Sequence, residues 1–224
     1  MIAIITARGG SKRIPRKNIK QFMGRPMLAY AVEAALRSGI FEEVMVSTDD
    51  AEIAETAKKY GASVPFFRSE KTSNDFASTY DVLKEVIEEY KKLGKTFDEI
   101  CCIYPCVPFL TGDILKAAYM KFRQANADRL TPVVKYSFPI QRAFMVNEQG
   151  MLAYREPENA PKRSQDLEPM YHDAGMFYFY KNGKLNSTQI VPFEMDEKNV
   201  QDIDNETDWE LAELKYRLMR HENK

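Results

Sequence analysis

Short apolar runs alternate with amphipathic segments along the first 136 residues of the chain. Runs of β-branched and other apolar residues, bounded by Gly, Pro, Asp or Ser, are typical of buried strands. They predict strands over residues 2–5, 44–48, 63–67, 99–104 and 130–134. Strands that alternate with helices in this way predict an α/β fold, in which a parallel sheet carries helices on both faces through right-handed crossovers.

The helical segments between these strands carry recognisable start and stop residues. Pro26 suits the first turn of a helix over residues 26–38, and Gly39 ends it. Asp49 and Asp50 favour the start of a helix that reaches about residue 60. Further helices are predicted over residues 74–93, from Thr111 or Asp113 to about residue 125, and over residues 206–219.

The alternation breaks after Tyr136. Residues 137–172 are rich in Pro, Arg, Gln and Glu, and they contain apolar side chains with no evident place in the first core, such as Phe138, Phe144 and Met145. A hairpin packed against another subunit and a mobile lid both fit this composition, and a homodimer is the preferred interpretation. Strands over 176–180 and 189–193 then return the chain to the sheet, so residues 1–224 are predicted to form a single domain with one excursion.

Charge and composition exclude several classes of protein. The formal net charge is −1, which argues against nucleic acid as the main partner. No apolar run approaches the length of a membrane span, and the amino terminus lacks a signal-peptide pattern, so a cytoplasmic location is expected. Three cysteines and two histidines without ligand spacing disfavour a zinc site and favour buried thiols.

The strongest candidate for chemistry is the segment 7–18, which follows the first predicted strand. Gly9 and Gly10 let the backbone turn sharply and approach a ligand. Five cationic side chains surround that turn: Arg8, Lys12, Arg13, Arg16 and Lys17. A glycine turn ringed by positive charge at the carboxyl end of a strand favours a polyphosphate site, although a solvated basic loop is the simpler alternative. The spacing matches neither a P-loop nor a dinucleotide fingerprint.

A second charged group precedes the last predicted helix. If residues 200–204 end a strand, Asp202 and Asp204 project from one side of it. Neighbouring carboxylates of this kind suit Mg²⁺ together with substrate phosphates. In the competing interpretation Asp204 only caps the final helix and Asp202 is solvated.

The segment Ala-Arg-Gly-Gly-Ser-Lys-x-Ile-Pro-x-Lys-Asn at 7–18, with Asp-Ile-Asp at 202–204, resembles the cytidylyltransferases that activate nonulosonic acids, among them CMP-sialic acid synthetases. The resemblance covers essentially the whole chain. It implies a Rossmann-like three-layer sandwich with a mostly parallel sheet, of the nucleotide-diphospho-sugar transferase type. It also implies transfer of CMP from CTP to the anomeric hydroxyl of a nine-carbon 2-keto acid, with release of pyrophosphate.

Within that family, the motifs at 165–167, 171–175 and 201–204 are most similar to the branch that acts on pseudaminic acid. Legionaminic or N-acetylneuraminic acid remains an alternative substrate. Two other classes stay open, a non-catalytic nucleotide sensor and a dinucleotide-dependent oxidoreductase, and the missing dinucleotide fingerprint counts against the latter.

The resemblance also implies roles for individual residues. The nucleotide-binding set is Ala7, Arg8, Gly9, Gly10, Ser11, Lys12, Lys17, Asn18, Arg68 and Asp75. The catalytic set is Arg8, Lys17, Asp202 and Asp204, the two aspartates being the Mg²⁺ ligands. The sugar-binding set is Tyr104, Arg163, Tyr171, His172 and Asp173. Simpler alternatives stand beside three of these: a structural Arg68–Asp75 pair, a surface Arg163 and a half-buried structural His172.

Overall fold

A computed structural model describes residues 1–222, which form a central sheet with helices on both faces. The strands are β1 (Ile2–Thr6), β2 (Gln21–Phe22), β3 (Arg25–Pro26), β4 (Glu43–Ser47), β5 (Glu99–Ile103), β6 (Arg129–Lys135), β7 (Phe144–Val146), β8 (Leu152–Tyr154), β9 (Tyr171–Asp173), β10 (Phe177–Lys181) and β11 (Ile190–Glu194). The helices are α1 (Met27–Ser38), α2 (Ala51–Lys59), α3 (Glu70–Ser73), α4 (Thr79–Lys92), α5 (Gly112–Ala125) and α6 (Glu206–Glu222). Short 3₁₀ turns lie at Ile140–Arg142, Pro157–Asn159, Ser164–Asp166 and Glu197–Asn199.

The described part of the sheet is mostly parallel, with the order β11-β6-β10-β5-β1-β4 and β9 paired to β6. Strand β1 lies between β4 and β5 and runs parallel to both. Strand β10 enters between β5 and β6 and is antiparallel to each. The expected α/β fold is confirmed, and the antiparallel strand comes from the part of the chain that follows the break at Tyr136.

The alternation of side chains along β1 builds three layers. Ala3 and Ile5 face one core, which they share with α1, α2 and α5. Ile2 and Ile4 face the opposite core, where α4 supplies Leu83, Val86 and Tyr90. A strand covered on both faces needs a continuous apolar run, which explains why β1 contains no polar residue before Thr6.

Local capping chemistry sets several of the helix ends. Gly39 follows α1 in the left-handed conformation at φ 63°. The side chain of Asp50 accepts the Ile53 amide at the start of α2, and that of Thr111 accepts the Ile114 amide at the start of α5. Of the caps that the sequence left open, Asp50 and Thr111 are therefore the ones used.

Two predicted strands are wrong, and one predicted helix is present but starts later than expected. Residues 63–67 form no strand, because only Ser63 makes an isolated bridge, to Met45 of β4. The helix predicted from residue 74 begins at Thr79, since the Asn74 side chain accepts the amides of Phe76 and Ala77 and turns the chain there. Residues 201–204 are irregular, so no strand alternation orients Asp202 and Asp204.

The excursion at 137–172 contains the expected hairpin, formed by β7 and β8. Its apolar side chains are exposed, including Phe144 at 54%, Val146 at 69% and Leu152 at 69%. Over the described residues, no helix combines the length and apolar character needed to cross a bilayer.

Candidate active site

The glycine loop at 7–18 lies at the carboxyl end of β1 and is anchored at both ends. The Ala7 amide donates to the Ser47 carbonyl of β4 at 3.0 Å. At the other end Asn18 is 4% exposed, and its carboxamide donates to the Arg8 carbonyl at 2.8 Å. The carbonyl of Asn18 accepts the Leu28 amide at 2.8 Å. These contacts hold the loop against the sheet and the first helix.

The two glycines of this loop differ in what they require. A Cβ atom on Gly9 would lie 2.9 Å from an Asp50 carboxylate oxygen and 3.0 Å from the Asp50 Cβ, so the close approach of this side chain, in the turn after β4, favours glycine there. The Gly9 amide donates to the Asp49 carboxylate at 2.8 Å. A Cβ atom on Gly10 would meet nothing within 4 Å. The acidic pair after β4 therefore fixes the loop at Gly9.

A cavity of about 360 Å³ opens beside this loop. Cationic side chains of the loop line one part of it, and residues from distant parts of the chain complete it. The lining residues are Thr6, Arg8, Ser11, Lys12, Arg13, Ile14, Lys17, Asn18, Pro105 and Asp204. The amino-terminal loop and the acidic segment near the carboxyl terminus therefore meet in one cavity.

Asp75 lies across two of the loop cations. Its carboxylate accepts from the Arg8 guanidinium at 2.7 Å and also bonds the Lys12 ammonium. The Lys12 and Arg8 hydrogen bonds hold the pKa of Asp75 below its ordinary value. A carboxylate that bridges two cations occupies the kind of position that a phosphate group takes, so this pair of cations is arranged to bind an anion.

The acidic segment contacts the same loop from the other side. Asp204 accepts from the Arg13 guanidinium at 2.8 Å and lies 3.8 Å from the Lys17 ammonium. Lys17 also donates to the Ile203 carbonyl. Burial, and then the charge of Asp204, raises the pKa of Asp202. The two aspartates are thus close enough to interact, and loop cations are their neighbours.

The competing interpretation of the two aspartates is right for Asp202, which is exposed and does not line the cavity, and wrong for Asp204. Asn205 is the residue whose side chain accepts the Asp208 amide, at 3.0 Å. Asp208 returns the contact by accepting the Asn205 amide at 3.1 Å, which is the reciprocal arrangement of a capping box. Asp204 is therefore free of the capping role and faces the cavity.

Arg68 is buried beneath the edge of the site. It is 9% exposed and donates to the hydroxyl and the carbonyl of Ser47 at 3.1 and 2.8 Å. Burial lowers its pKa from the ordinary value. The described contacts of Asp75 go to Arg8 and Lys12, so the alternative of a structural Arg68–Asp75 pair is not what the structure has.

Tyr104 and Asp173, two of the five residues assigned to the sugar, both contact Tyr178 beside β5. The phenol of Tyr178 donates to the Asp173 carboxylate at 2.9 Å. The rings of Tyr104 and Tyr178 pack edge to face at 5.4 Å, and Pro105 of the same loop lines the cavity. Tyr178, which was not singled out from the sequence, therefore links Tyr104 to Asp173.

The other three residues assigned to the sugar are held elsewhere. Arg163 makes two hydrogen bonds to Asp166, at 2.8 and 3.0 Å, within the excursion. Tyr171 is exposed and lies 3.4 Å from Glu194. His172 is exposed and its ring packs 5.0 Å from that of Tyr136, so the half-buried alternative for it is wrong. None of the three lines the described cavity.

Sequence reasoning missed several contributors to the site. Asp49 and Asp50 were interpreted as caps, yet they also bind Gly9 and Arg16. Their position directly after a strand beside β1 was the available signal. Cys106, whose thiol lies 3.4 Å from the Asn18 carboxamide oxygen, gave no such signal because a single cysteine in a loop has no pattern.

Comparison with known sequences supports the resemblance to cytidylyltransferases. Residues 2–221 match the family model described as cytidylyltransferase. The chain is 42% identical to a pseudaminic acid cytidylyltransferase of Campylobacter jejuni, over 99% of this chain and 98% of that protein. It is 30% identical to a CMP-N,N'-diacetyllegionaminic acid synthase of Legionella pneumophila, over 95% and 94% of the two chains.

Solved structures share the fold. A CMP:2-keto-3-deoxy-manno-octonic acid synthetase complexed with CTP superposes with a TM-score of 0.71 at 21% identity, over 99% of this chain and 98% of that one. A 4-diphosphocytidyl-2C-methyl-D-erythritol synthase of Anaerococcus prevotii superposes with a TM-score of 0.65 at 13% identity, over 96% and 97%. With the sequence match over nearly its full length, the chain belongs to the cytidylyltransferase family and is a nucleotidyltransferase.

Proposed function

We propose that this enzyme transfers CMP from CTP to the anomeric hydroxyl of a nonulosonic acid, with pseudaminic acid as the preferred substrate, and releases pyrophosphate. The observation that carries the proposal is the cavity that Arg8, Lys12 and Lys17 of the glycine loop line together with Asp204. The choice of sugar is supported by the 42% identity to a pseudaminic acid cytidylyltransferase. Relatives named for legionaminic and neuraminic acids make those sugars the alternatives.

The cations of the loop suit the triphosphate. Arg8 and Lys12 already hold the Asp75 carboxylate, and CTP phosphates would take its place between them. Ser11 lines the same cavity and offers a hydroxyl to a phosphate oxygen. Attack by the sugar hydroxyl on the α-phosphorus forms one P–O bond and breaks the bond to the departing pyrophosphate, while a carboxylate of the site accepts the hydroxyl proton. Negative charge grows on the phosphoryl oxygens in this step, and Lys17 is the cation that we assign to them.

Asp202 and Asp204 are the proposed ligands of Mg²⁺. The described residues contain no group of three or more His, Cys, Asp or Glu side chains that could hold a metal alone. Two carboxylates fit Mg²⁺ because this ion keeps several waters and takes substrate phosphates as further ligands. When bound it would neutralise phosphate charge and offset the charge of the leaving group.

The sugar is proposed to lie beside Tyr104 and Asp173, next to the cavity edge formed by Pro105. The described contacts between Tyr178 and these two residues support a common polar surface there. Arg163 remains the proposed partner of the sugar carboxylate, since a guanidinium binds a carboxylate with two hydrogen bonds, as it now binds Asp166. Tyr171 and His172 stay in the proposed sugar site as neighbours of Asp173 on β9.

A homodimer is part of the proposal. The hairpin β7–β8 exposes apolar side chains on its surface, and a two-stranded hairpin of this kind is stable only when it packs on something. A second copy of the chain is the proposed cover. It would also set the position of the excursion that carries Arg163.

The test is a pyrophosphate-release assay with CTP and Mg²⁺ against pseudaminic, legionaminic and N-acetylneuraminic acids. Release is expected to be fastest with pseudaminic acid and to need both CTP and metal. Omission of the sugar is the control for hydrolysis of CTP alone. CTP binding without pyrophosphate release from any of the three acids would contradict the proposal and favour a nucleotide sensor.

A further inference from the structure

Cys106 lies in the loop that follows β5, between Pro105, which lines the cavity, and the buried Val107. Its sulfur is 3.4 Å from the Asn18 carboxamide oxygen, within hydrogen-bond distance for a thiol donor. Burial raises the pKa of Cys106 to about 12, so near neutral pH the thiol keeps its proton and can donate it. The contact joins two loops that lie 88 positions apart in the sequence.

Asn18 passes this contact on to the glycine loop. Its oxygen accepts from Cys106, and its nitrogen donates to the Arg8 carbonyl at 2.8 Å. A carboxamide has one acceptor end and one donor end, so a thiol at the oxygen fixes which way the group points. Asn18 is 4% exposed, and water therefore cannot readily replace either partner.

We propose that Cys106 is a positioning residue for the nucleotide: its thiol orients the Asn18 carboxamide, which holds the Arg8 backbone and so sets the geometry of the glycine loop that binds CTP. The inference rests on the proposed function, because it takes CTP as the ligand of that loop. Cys106 touches no substrate in this scheme and acts through Asn18 alone.

If Cys106 contributed only packing, its replacement would lower stability without changing CTP affinity. Cys101 lies in β5 and is buried, whereas Cys106 is half-buried, and the described hydrogen bond of Cys101 goes to the carbonyl of the adjacent Cys102 rather than to the glycine loop. Cys101→Ala therefore removes a buried sulfur without touching Asn18 and is the matched control. It is expected to lower the melting temperature and to leave CTP affinity within about twofold of the wild type.

The experiment measures the Kd for CTP by calorimetry and the KM values for CTP and for the sugar in the full-length enzyme. Cys106→Ala is expected to weaken CTP binding about three- to tenfold, the range for loss of one hydrogen bond, with kcat and the sugar KM little changed. Cys106→Ser keeps a donor and is expected to restore CTP affinity to within about twofold of the wild type.

A double-mutant cycle with Asn18→Ala completes the test. If Cys106 acts through Asn18, Cys106→Ala adds little to the loss already caused by Asn18→Ala. Unchanged CTP affinity in Cys106→Ala, failure of serine to rescue it, or full additivity with Asn18→Ala would overturn the inference while leaving the proposed function standing. A wild-type enzyme that binds no CTP would overturn both.

Discussion

At the scale of single residues, the site is a set of cations whose charges are already balanced by carboxylates. Asp75 bridges Arg8 and Lys12, and Asp204 pairs with Arg13. Unbalanced cations in one loop would repel each other, so these contacts stabilise the loop before any ligand arrives. They also mean that a triphosphate must replace partly exposed ion pairs, which costs little because such pairs contribute only about 0–1 kcal/mol each.

Asp202→Asn is expected to lower kcat about a hundredfold or more, because one proposed metal ligand and its charge are lost where the leaving group develops charge. CTP affinity should change much less, since the cations of the glycine loop remain. Pyrophosphate release and calorimetric CTP binding measure the two effects separately. Asp113→Asn, at an exposed position in the first turn of α5, is the control. Wild-type turnover in Asp202→Asn at saturating Mg²⁺ would remove this residue from the metal site.

Asp50→Asn tests the ion pair that supports the glycine loop. The hydrogen bond from Arg16 holds the pKa of Asp50 below its ordinary 3.8. Because the folded-state pKa is lowered, the carboxylate stabilises the fold above pH 3.8, and this contribution is lost as the pH falls through the lowered value.

Urea denaturation at several pH values provides the measurement. Asp50→Asn should be less stable than the wild type by about 1 kcal/mol at pH 7, and the difference should shrink below pH 4. A difference that stayed constant down to pH 2.5 would show that lost packing or capping, rather than the charge, causes the effect.

Functional residues could be predicted from the sequence where a single segment contains all of them. The glycine loop has its cations and its Gly9 turn within twelve positions, so segment 7–18 could be identified from the sequence. The family resemblance placed Asp75 and Asp204 in the same site as these cations, but which cation each carboxylate contacts could not be predicted, because the two aspartates come from remote segments that only folding brings close. Arg16 adopts a left-handed backbone at φ 57°, and no sequence rule assigns that conformation to an arginine.

At the scale of elements, prediction succeeded where periodicity and capping agreed. Helix α1 has both a helical apolar stripe and Gly39, and its boundary was correct to one residue. Residues 63–67 have the apolar pattern of a strand, but only Ser63 bridges to the edge strand β4, so the pattern overestimated the pairing. The antiparallel direction of β10 could not be predicted from the local pattern either, because strand direction depends on the path of the chain through the excursion.

An aromatic cluster packs α6 against the rest of the fold and so positions the acidic segment 202–204 that precedes this helix. Trp209 is 4% exposed, and its ring packs edge to face on Phe22 at 5.4 Å. Phe22 also packs on Tyr30 of α1 and Tyr216 of α6. Since Asp204 precedes α6 directly, the packing of this helix fixes where Asp204 can lie.

Trp209→Ala is therefore expected to lower the free energy of unfolding by about 3–5 kcal/mol through lost burial and a cavity. Trp209→Phe keeps an aromatic ring in the cluster and should cost less. Chemical denaturation followed by circular dichroism measures both, since the variants lack the only tryptophan of the chain. Equal stabilities for the alanine variant and the wild type would show that α6 is not held through this cluster.

At the scale of the whole molecule, the chain closes its site by bringing both ends to one edge of the sheet. The loop after β1 supplies the cations, and the segment before α6 supplies Asp204, with Asp202 two positions before it in the sequence. The excursion between β6 and β9 does not contribute to the described cavity, yet it contains the β7–β8 hairpin with its exposed apolar side chains. Under the proposed function, phosphate chemistry belongs to the main domain, and the excursion carries both the exposed hairpin and Arg163, the proposed partner of the sugar carboxylate.

The proposed dimer gives a prediction at this scale. The substitution Val146→Asp would place a charge in the proposed interface, and burial of an unpaired charge costs several kcal/mol, more than most side-chain contacts contribute. Wild-type protein is expected to sediment at twice the 25.9 kDa mass of one chain, and Val146→Asp at that mass. Gln149→Asp adds the same charge in the turn of the same hairpin and should remain dimeric.

Thermal melting provides an independent check of the dimer. Because the hairpin lies outside the main core, a monomeric variant should lose only the stability that association supplied. The melting temperature of the wild type should therefore rise with protein concentration. A wild-type monomer, or a Val146→Asp variant with the wild-type mass, would mean that something other than a second copy covers the hairpin.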